Sequence, residues 1–147
     1  MRRALNWLVL AVVGLHGCAG GGAVRSTDAG AAVAVVDAYA AAFNRHDAAA
    51  AASLLAADLQ WLAIDNGEAK LEATGRAAMQ QWLQNYFAAV PDVRSEMESF
   101  ARGTQRVAVY ECVRWRGESG AQRRCAHGLF EVRGGLIQRV WFWPAEG

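Results

Sequence analysis

The half of the sequence that follows Pro91 is a series of strand-like segments separated by glycine. The segments lie near 93–102, 105–116, 121–133 and 136–143, and glycines occur at 103, 117, 120, 134 and 135. Short turns between apolar segments with alternating side chains are typical of β-hairpins. This half therefore predicts four antiparallel strands, with tight hairpins at 117–120 and 134–135.

The first half of the sequence has helical spacing instead. An apolar stripe runs over 33–43, an alanine-rich helix capped by Asp47 follows, and a third helix covers about 74–89. Between the last two helices, apolar residues alternate as in a strand from Leu59 to the turn at Asn66-Gly67. Helices segregated from strands predict an α+β fold, with three N-terminal helices packed on one face of a curved antiparallel sheet.

The N-terminus has the pattern of an export signal. Arg2 and Arg3 precede an apolar segment over 5–15, which is shorter than the roughly 20 residues that a membrane-spanning helix needs. The segment ends in Leu15-His16-Gly17-Cys18, which resembles the lipobox of bacterial lipoproteins except at His16. The resemblance implies cleavage before Cys18 and lipidation of its thiol. An ordinary signal peptide cut nearby is the alternative.

These features predict a division of the chain into three parts. We expect a signal peptide over 1–17, a lipidated Cys18 that opens a glycine-rich tether over 18–30, and one domain over 31–147. The mature protein would then lie in the periplasm or cell envelope, attached to a membrane through Cys18.

Composition and spacing exclude several classes of function. Without Arg2 and Arg3 the chain has 13 basic and 14 acidic residues, which argues against a nucleic-acid partner. The histidines lack metal-ligand spacing, and the sequence has neither a phosphate-binding glycine loop nor a GxSxG elbow. No metal or cofactor is expected.

Three segments together resemble a known superfamily. They are Val35 to Tyr39 leading to Phe43-Asn44-Arg45-His46-Asp47, then Ala56 to Trp61, and finally Gly134 to Ile137 with Trp141 to Pro144. They are similar to nuclear transport factor 2-like domains, which include the SnoaL-like cyclases and the ketosteroid isomerases. The resemblance implies a cone-shaped α+β roll whose open end holds an apolar pocket.

The resemblance also implies that ketosteroid isomerase chemistry is incomplete here. Tyr39 falls where those enzymes place the tyrosine that binds the oxyanion. Their general base would fall at Ala63 and their second oxyanion acid near Gly128. Asp65 follows the base position by two residues, and we place it on the other side of the strand unless a bulge intervenes.

Pairing the strands about their turns assigns the residues to two faces of the sheet. Glu111 is the one carboxylate on the apolar face that should meet the helices, and we expect burial to raise its pKa. It is either a structural carboxylate or a general acid or base with Tyr39. The outer face would carry an apolar strip of Tyr110, Leu129, Val140 and Phe142.

Three functions remain open. The first is a non-catalytic envelope module that binds a small, partly apolar molecule in an aromatic pocket. The second is a lyase, isomerase or cyclase that uses Glu111 with Tyr39, and the third is a homodimer formed through the outer sheet face. The predicted pocket consists of Trp61, Trp82, Tyr86, Phe130, Arg139, Trp141 and Trp143.

The two remaining cysteines are predicted to form a disulfide. If Glu118 and Ser119 form the turn of the first long hairpin, Cys112 and Cys125 lie directly opposite each other at a non-hydrogen-bonded pair. An oxidising compartment favours the bond. Two buried thiols are the alternative.

Overall fold

The structure, a computed structural model, describes residues 26–145. Its helices are α1 (Ser26–Asn44), α2 (Ala48–Ser53) and α3 (Arg76–Ala89). Its strands are β1 (Leu55–Asp65), β2 (Glu68–Thr74), β3 (Arg94–Arg102), β4 (Arg106–Gly117), β5 (Gly120–Arg133) and β6 (Leu136–Pro144). The first helix thus begins five residues before the predicted start of the domain at 31. The predicted leader and Cys18 lie outside the described residues.

The six strands form one curved sheet in the order β2-β1-β6-β5-β4-β3. The α+β prediction is confirmed, but the sheet is mixed, because β1 pairs parallel to β6. The other neighbouring pairs are antiparallel. The parallel pair exists because α3 and several strands intervene between β1 and β6, which lets the chain return in the same direction.

Local chemistry sets the ends of two helices. Asp47 caps α2 by accepting a hydrogen bond from the amide of Ala50 at 2.9 Å. Gly75 precedes α3 at a φ of 88°, where a Cβ atom would lie 3.2 Å from the carbonyl oxygen of Ala57. Its amide also donates to the carbonyl of Leu59 at 2.7 Å, which ties the start of α3 to β1. Glycine is therefore the residue that fits this junction.

The helices cover one face of the sheet, which we call the inner face. Val107, Val109, Phe130, Ile137 and Val140 point from this face into the core and are completely buried. They pack against Val36 and Phe43 of α1 and Leu83 of α3 in one cluster. The buried members of this cluster, among the described residues, lie within 32–140. Among these residues, no helix is both long and apolar enough to cross a membrane.

The register of the first long hairpin is as predicted. Gly117 lies opposite Gly120, Cys112 opposite Cys125, and Glu111 opposite Ala126. The pairing runs from one end of the hairpin to the other without a break.

The register of the second hairpin differs from the prediction beyond Ile137. Val132 pairs with Ile137, whereas Glu131 pairs with Arg139, so Gln138 is an extra residue in β6. One extra residue exchanges the two faces of the strand. Consequently Val140 and Phe142 face inward, whereas Arg139, Trp141 and Trp143 face outward. Our assignment of these five residues was wrong.

Candidate functional site

A cavity of about 800 Å³ lies between the helices and one end of the inner face. Its walls come from Tyr39 and Phe43 of α1, Trp82 and Tyr86 of α3, Trp61 and Ala63 of β1, and Phe142 of β6. Trp61 stacks on Phe142 with ring centroids 5.5 Å apart, and Trp82 stacks on Tyr86 at 4.9 Å. The volume and the aromatic walls are those of a site for a small, largely apolar molecule.

Two acidic residues line this cavity, Glu111 on the sheet wall and Asp65 at the end of β1. Glu111 points inward from β4, and the Oγ of Ser95 donates a hydrogen bond to its Oε1 at 2.5 Å. Burial raises the pKa of Glu111, and the hydrogen bond from Ser95 opposes part of that rise. The predicted direction of the shift is confirmed. Glu111 therefore keeps its proton over a wider pH range than a solvated glutamate.

Ser95 is itself fixed by a side chain from α1. The Nδ2 of Asn44 donates to the Ser95 carbonyl, and the Ser95 amide donates to the Oδ1 of Asn44, each at 2.8 Å. Asn44 thus pairs with β3 as a neighbouring strand would. The result is a chain of contacts from Asn44 through Ser95 to Glu111 that sets the position of the carboxyl group.

Two tyrosines share the cavity with Glu111. Tyr39 is only 4% exposed, and burial followed by the charge of Glu111 raises its pKa well above the ordinary value. The half-buried Tyr86 has its pKa raised by the same two causes and lowered by Arg124. Both hydroxyls stay protonated at neutral pH and are available as hydrogen-bond donors.

The two positions at which ketosteroid isomerases would carry acids, Ala63 and Gly128, both lack an acidic side chain here. Ala63 lines the cavity and offers no functional group. At Gly128 a Cβ atom would lie 2.6 Å from the Cε1 atom of Phe142 and 2.9 Å from the Cγ2 atom of Val109. The ring of Phe142 therefore takes the space that an acidic side chain would need. Asp65, which we had placed on the other side of β1, also lines the cavity.

Comparison with known proteins agrees with this geometry. Residues 36–140 match the family of SnoaL-like domains, and they include α3 together with all six strands apart from the end of β6. The chain belongs to the SnoaL-like family. No curated protein matches the sequence.

Solved structures show the same fold at low sequence identity. A cystatin-fold protein from Novosphingobium aromaticivorans has 21% identity and a TM-score of 0.65, covering 75% of this chain and 95% of its own. A proposed ketosteroid isomerase from Kribbella flavida has 23% identity and a TM-score of 0.67, covering 82% of each chain. A proposed polyketide cyclase from Xanthomonas campestris has 25% identity and a TM-score of 0.61, covering 80% and 93%.

Some of the predicted pocket residues of this SnoaL-like domain lie elsewhere. Trp61, Trp82 and Tyr86 line the cavity, and Trp143 borders it although its indole stacks on His127 of the outer face. Phe130 is fully buried beneath Trp61 and Phe142 and contributes to the core rather than to the cavity surface. Arg139 and Trp141 lie together on the outer face, with the guanidinium 5.5 Å from the indole centroid.

The predicted disulfide is present between Cys112 and Cys125, whose Cα atoms lie 4.0 Å apart. Both residues are on the outer face, directly beside the strand positions of Glu111 and Ala126. The Nη2 of Arg123 donates to the Sγ of Cys112 at 2.8 Å. The bond joins β4 and β5 at the level of the cavity.

Sequence reasoning missed several residues of the SnoaL-like site. Phe142 was assigned to the wrong face, and Ser95 and Asn44 were not identified at all. The polar Ser95 within a strand was a signal, but its partner Glu111 follows only from the β3–β4 register. Phe100, an unpaired residue between Ser99 and Ala101, shifts that register and carries no turn signal in the sequence.

The SnoaL-like cavity has the chemistry of a binding or proton-transfer site. Neutral Glu111 and the two tyrosines can donate hydrogen bonds to a carbonyl or hydroxyl oxygen, and ionised Glu111 can accept a proton. Within 26–145 no three histidine, cysteine or acidic residues are grouped as metal ligands.

Proposed function

We propose that this chain is an exported lipoprotein whose SnoaL-like domain binds a small, partly apolar molecule without transforming it. The observation that carries the proposal is the aromatic cavity of about 800 Å³ with the carboxyl group of Glu111, whose pKa is raised by burial, on its wall. Apolar walls supply the affinity by removing ring surface from water, and Glu111 orients the ligand through one hydrogen bond.

Two structural neighbours support small-molecule binding by this fold. A Mycobacterium tuberculosis protein with 16% identity was crystallised with estradiol-17β-hemisuccinate, and a Catenulispora acidiphila protein with 21% identity with trimethylamine. These molecules differ widely in size and charge. They favour a binding role for the cavity and leave the ligand of this chain to be determined by its own residues.

Native mass spectrometry tests the binding proposal. Residues 19–147, which contain all the described residues, would be purified from the native host, with Ala63→Phe as the matched variant. The introduced ring would fill the space beside Trp61 and Phe142. We expect a small-molecule adduct on the wild type and none on the variant. No adduct on either protein, or equal adducts on both, would contradict the proposal.

The lipid anchor rests on the Leu15-to-Cys18 sequence and has its own test. We expect the mature chain to begin at Cys18, to carry acyl chains on that residue, and to partition into detergent. Mass spectrometry of the N-terminal peptide identifies the first residue and its acyl chains, and detergent phase separation measures the partitioning. A soluble chain that begins after Cys18 would show that the chain is exported without an anchor.

A second candidate function is acid–base catalysis, because Glu111 and Tyr39 meet in one cavity with their pKa values raised. In this case Glu111 would remove a proton from a carbon next to a carbonyl group, and Tyr39 would stabilise the resulting oxyanion. The bound molecule would then exchange hydrogen for deuterium in D₂O, and Glu111→Gln would abolish the exchange. A ligand that keeps its mass and structure would favour binding alone.

Homodimerisation through the outer face is a separate proposal. On the outer face, residues that lie opposite one another on neighbouring strands form two rows across the sheet. One row is apolar and the other is mainly aromatic. The first row contains Ala108, Leu129, Trp141, Leu62 and Leu71, and the second contains Tyr110, His127 and Trp143. Trp141 and Trp143 take the places in the strip that we had assigned to Val140 and Phe142.

The size of this face fits a second copy of the chain. Six strands spaced by about 4.8 Å, five of them at least about 30 Å long, present on the order of 850 Å². A standard interface buries about 800 Å² on each partner. We expect a dimer in analytical ultracentrifugation and a monomer after Trp141→Glu, with the helix-face variant Trp82→Glu as the control. A wild-type monomer at 100 µM, on the order of ordinary assay concentrations, would refute this proposal.

A further inference from the structure

The mouth of the cavity has a cationic side. Arg124 pairs with Val113 across the β4–β5 hairpin, and Val113 faces the cavity, so Arg124 also lies on the inner face. Its neighbour Arg123 points to the other face, where it is bonded to the sulfur of Cys112. Both arginines border the cavity, but of the two Arg124 has its strand position on the inner face, where it faces an entering molecule.

The described residues do not neutralise Arg124. The ion pairs within 26–145 join Lys70 to Glu72, Arg114 to Glu96 and Arg133 to Glu131, and they leave Arg124 without a carboxylate within 4 Å. Asp65 borders the cavity from β1 but is beyond ion-pair distance. Arg124 also lowers the pKa of Tyr86, which shows that its charge acts on the cavity wall.

The remaining acid of the cavity does not supply the missing charge. Glu111 is partly buried and is hydrogen-bonded to a hydroxyl group, not to a cation. It is therefore suited to meet a neutral oxygen of the ligand. The cavity is consequently polarised, with an apolar aromatic body, the carboxyl group of Glu111 hydrogen-bonded on its wall and a guanidinium at its mouth.

From this arrangement we infer that the cavity binds an amphiphilic organic anion, whose carboxylate or sulfonate is held by Arg124 at the mouth. Its apolar body would lie against Trp61 and Phe142. A guanidinium binds such groups through two parallel hydrogen bonds, and the apolar surroundings strengthen the attraction. The inference rests on the proposed binding function and adds the charge of the ligand.

Two fluorescent probes with the same ring system provide the test. They are 1-anilinonaphthalene-8-sulfonate and N-phenyl-1-naphthylamine, which lacks the sulfonate. Their affinities would be measured for residues 19–147, which include every described residue of the hydrophobic core. The variants are Arg124→Gln and the control Arg116→Gln, which removes the same charge from an outer-face position of the hairpin.

We expect the sulfonate probe to bind about tenfold more tightly than the neutral probe, as for one charge-assisted hydrogen-bonded pair. Arg124→Gln is expected to abolish this difference by weakening the sulfonate probe alone, whereas Arg116→Gln leaves both affinities unchanged. Equal affinity of the two probes for the wild type, or equal weakening by both arginine variants, would overturn the inference.

A cavity-filling variant separates this outcome from failure of the binding function. Ala63→Phe is expected to weaken both probes by about tenfold or more. If it fails to fold, as judged by circular dichroism, Val113→Phe takes its place. Probes that bind these variants as tightly as the wild type lie outside the cavity. That result would contradict cavity binding itself, whatever the effect of Arg124→Gln.

Discussion

Two glutamates on adjacent strands point to opposite faces of the sheet and are held in different ways. Glu131 of β5 lies on the outer face, is 5% exposed, and accepts a hydrogen bond from Arg133. Its cross-strand neighbours are Arg106 and Arg139. Glu111 of β4 lies on the inner face, where its partner is the hydroxyl of Ser95.

The difference shows that one sheet holds two carboxyl groups in chemically different environments. Glu131 forms an ion pair with Arg133 and lies opposite two further arginines, so its charge contributes to the fold. A hydroxyl group can orient Glu111 but does not neutralise it, and burial therefore favours its protonated form. The partner of each carboxyl group, more than its burial, separates the two roles.

Among substitutions at these two glutamates and their partners, Glu131→Gln is expected to have the largest effect on the free energy of unfolding. Glu131→Gln removes the negative charge from a buried group surrounded by arginines, and we expect the free energy of unfolding to fall by about 2 kcal/mol. Urea unfolding at pH 7 measures it. Glu96→Gln is the matched control, because its ion pair with Arg114 is exposed and contributes less than about 1 kcal/mol. Equal losses in both variants would contradict the structural role of Glu131.

Glu111→Gln is expected to change the free energy of unfolding in a pH-dependent way, with the change favouring the variant at high pH. A carboxyl group whose pKa is raised by folding stabilises the fold below its unfolded pKa, and this contribution is lost as the pH rises through the folded pKa. The variant lacks that loss, so its stability relative to that of the wild type is expected to be higher at pH 8 than at pH 4. Urea unfolding across this range gives the difference. A constant difference at all pH values would show that the pKa of Glu111 is not raised.

The smallest change in stability, with the most specific readout, is expected at Ser95. The hydrogen bond from Ser95 opposes the rise that burial causes in the pKa of Glu111. Ser95→Ala removes this bond, so the pKa of Glu111 is expected to move further upward. Ser95→Thr keeps the hydroxyl and is expected to leave the pKa near its wild-type value. Carbon-detected NMR titration of labelled Glu111 measures both. We expect Ser95→Ala to lower the free energy of unfolding by no more than about 1 kcal/mol. An unchanged pKa of Glu111 in this variant would show that Ser95 does not control the carboxyl group.

The sequence predicted the parts of the site that depend on one tight turn. Glu118 and Ser119 set the register of the first long hairpin, and the positions of Glu111 and of the disulfide follow by counting. The α+β fold follows from two clear periodicities. Gln138 and Phe100 mark the limit of this reasoning, because each is an unpaired residue in a strand and neither is flanked by glycine or proline at that point.

The Ser95 contact was beyond prediction for a further reason. It joins residues from α1, β3 and β4, and its hydrogen bonds span 51 and 16 residues of sequence. Contacts of this kind depend on how the helices are placed on the sheet. Periodicity assigns residues to a face of an element but does not determine that placement.

The parallel pairing of β1 with β6 has a consequence for the order in which the molecule folds. The hydrogen bond from Arg139 to Gln60 joins residues 79 apart in sequence, whereas the β4–β5 hairpin closes on a two-residue turn. Contacts between distant residues form late, because closing a long loop costs more entropy than closing a short one. Trp61 and Phe142, which stack across these two strands, therefore complete the cavity wall in a late step. We expect a bound molecule to slow unfolding while leaving the rate of folding nearly unchanged, which stopped-flow fluorescence with and without the sulfonate probe measures.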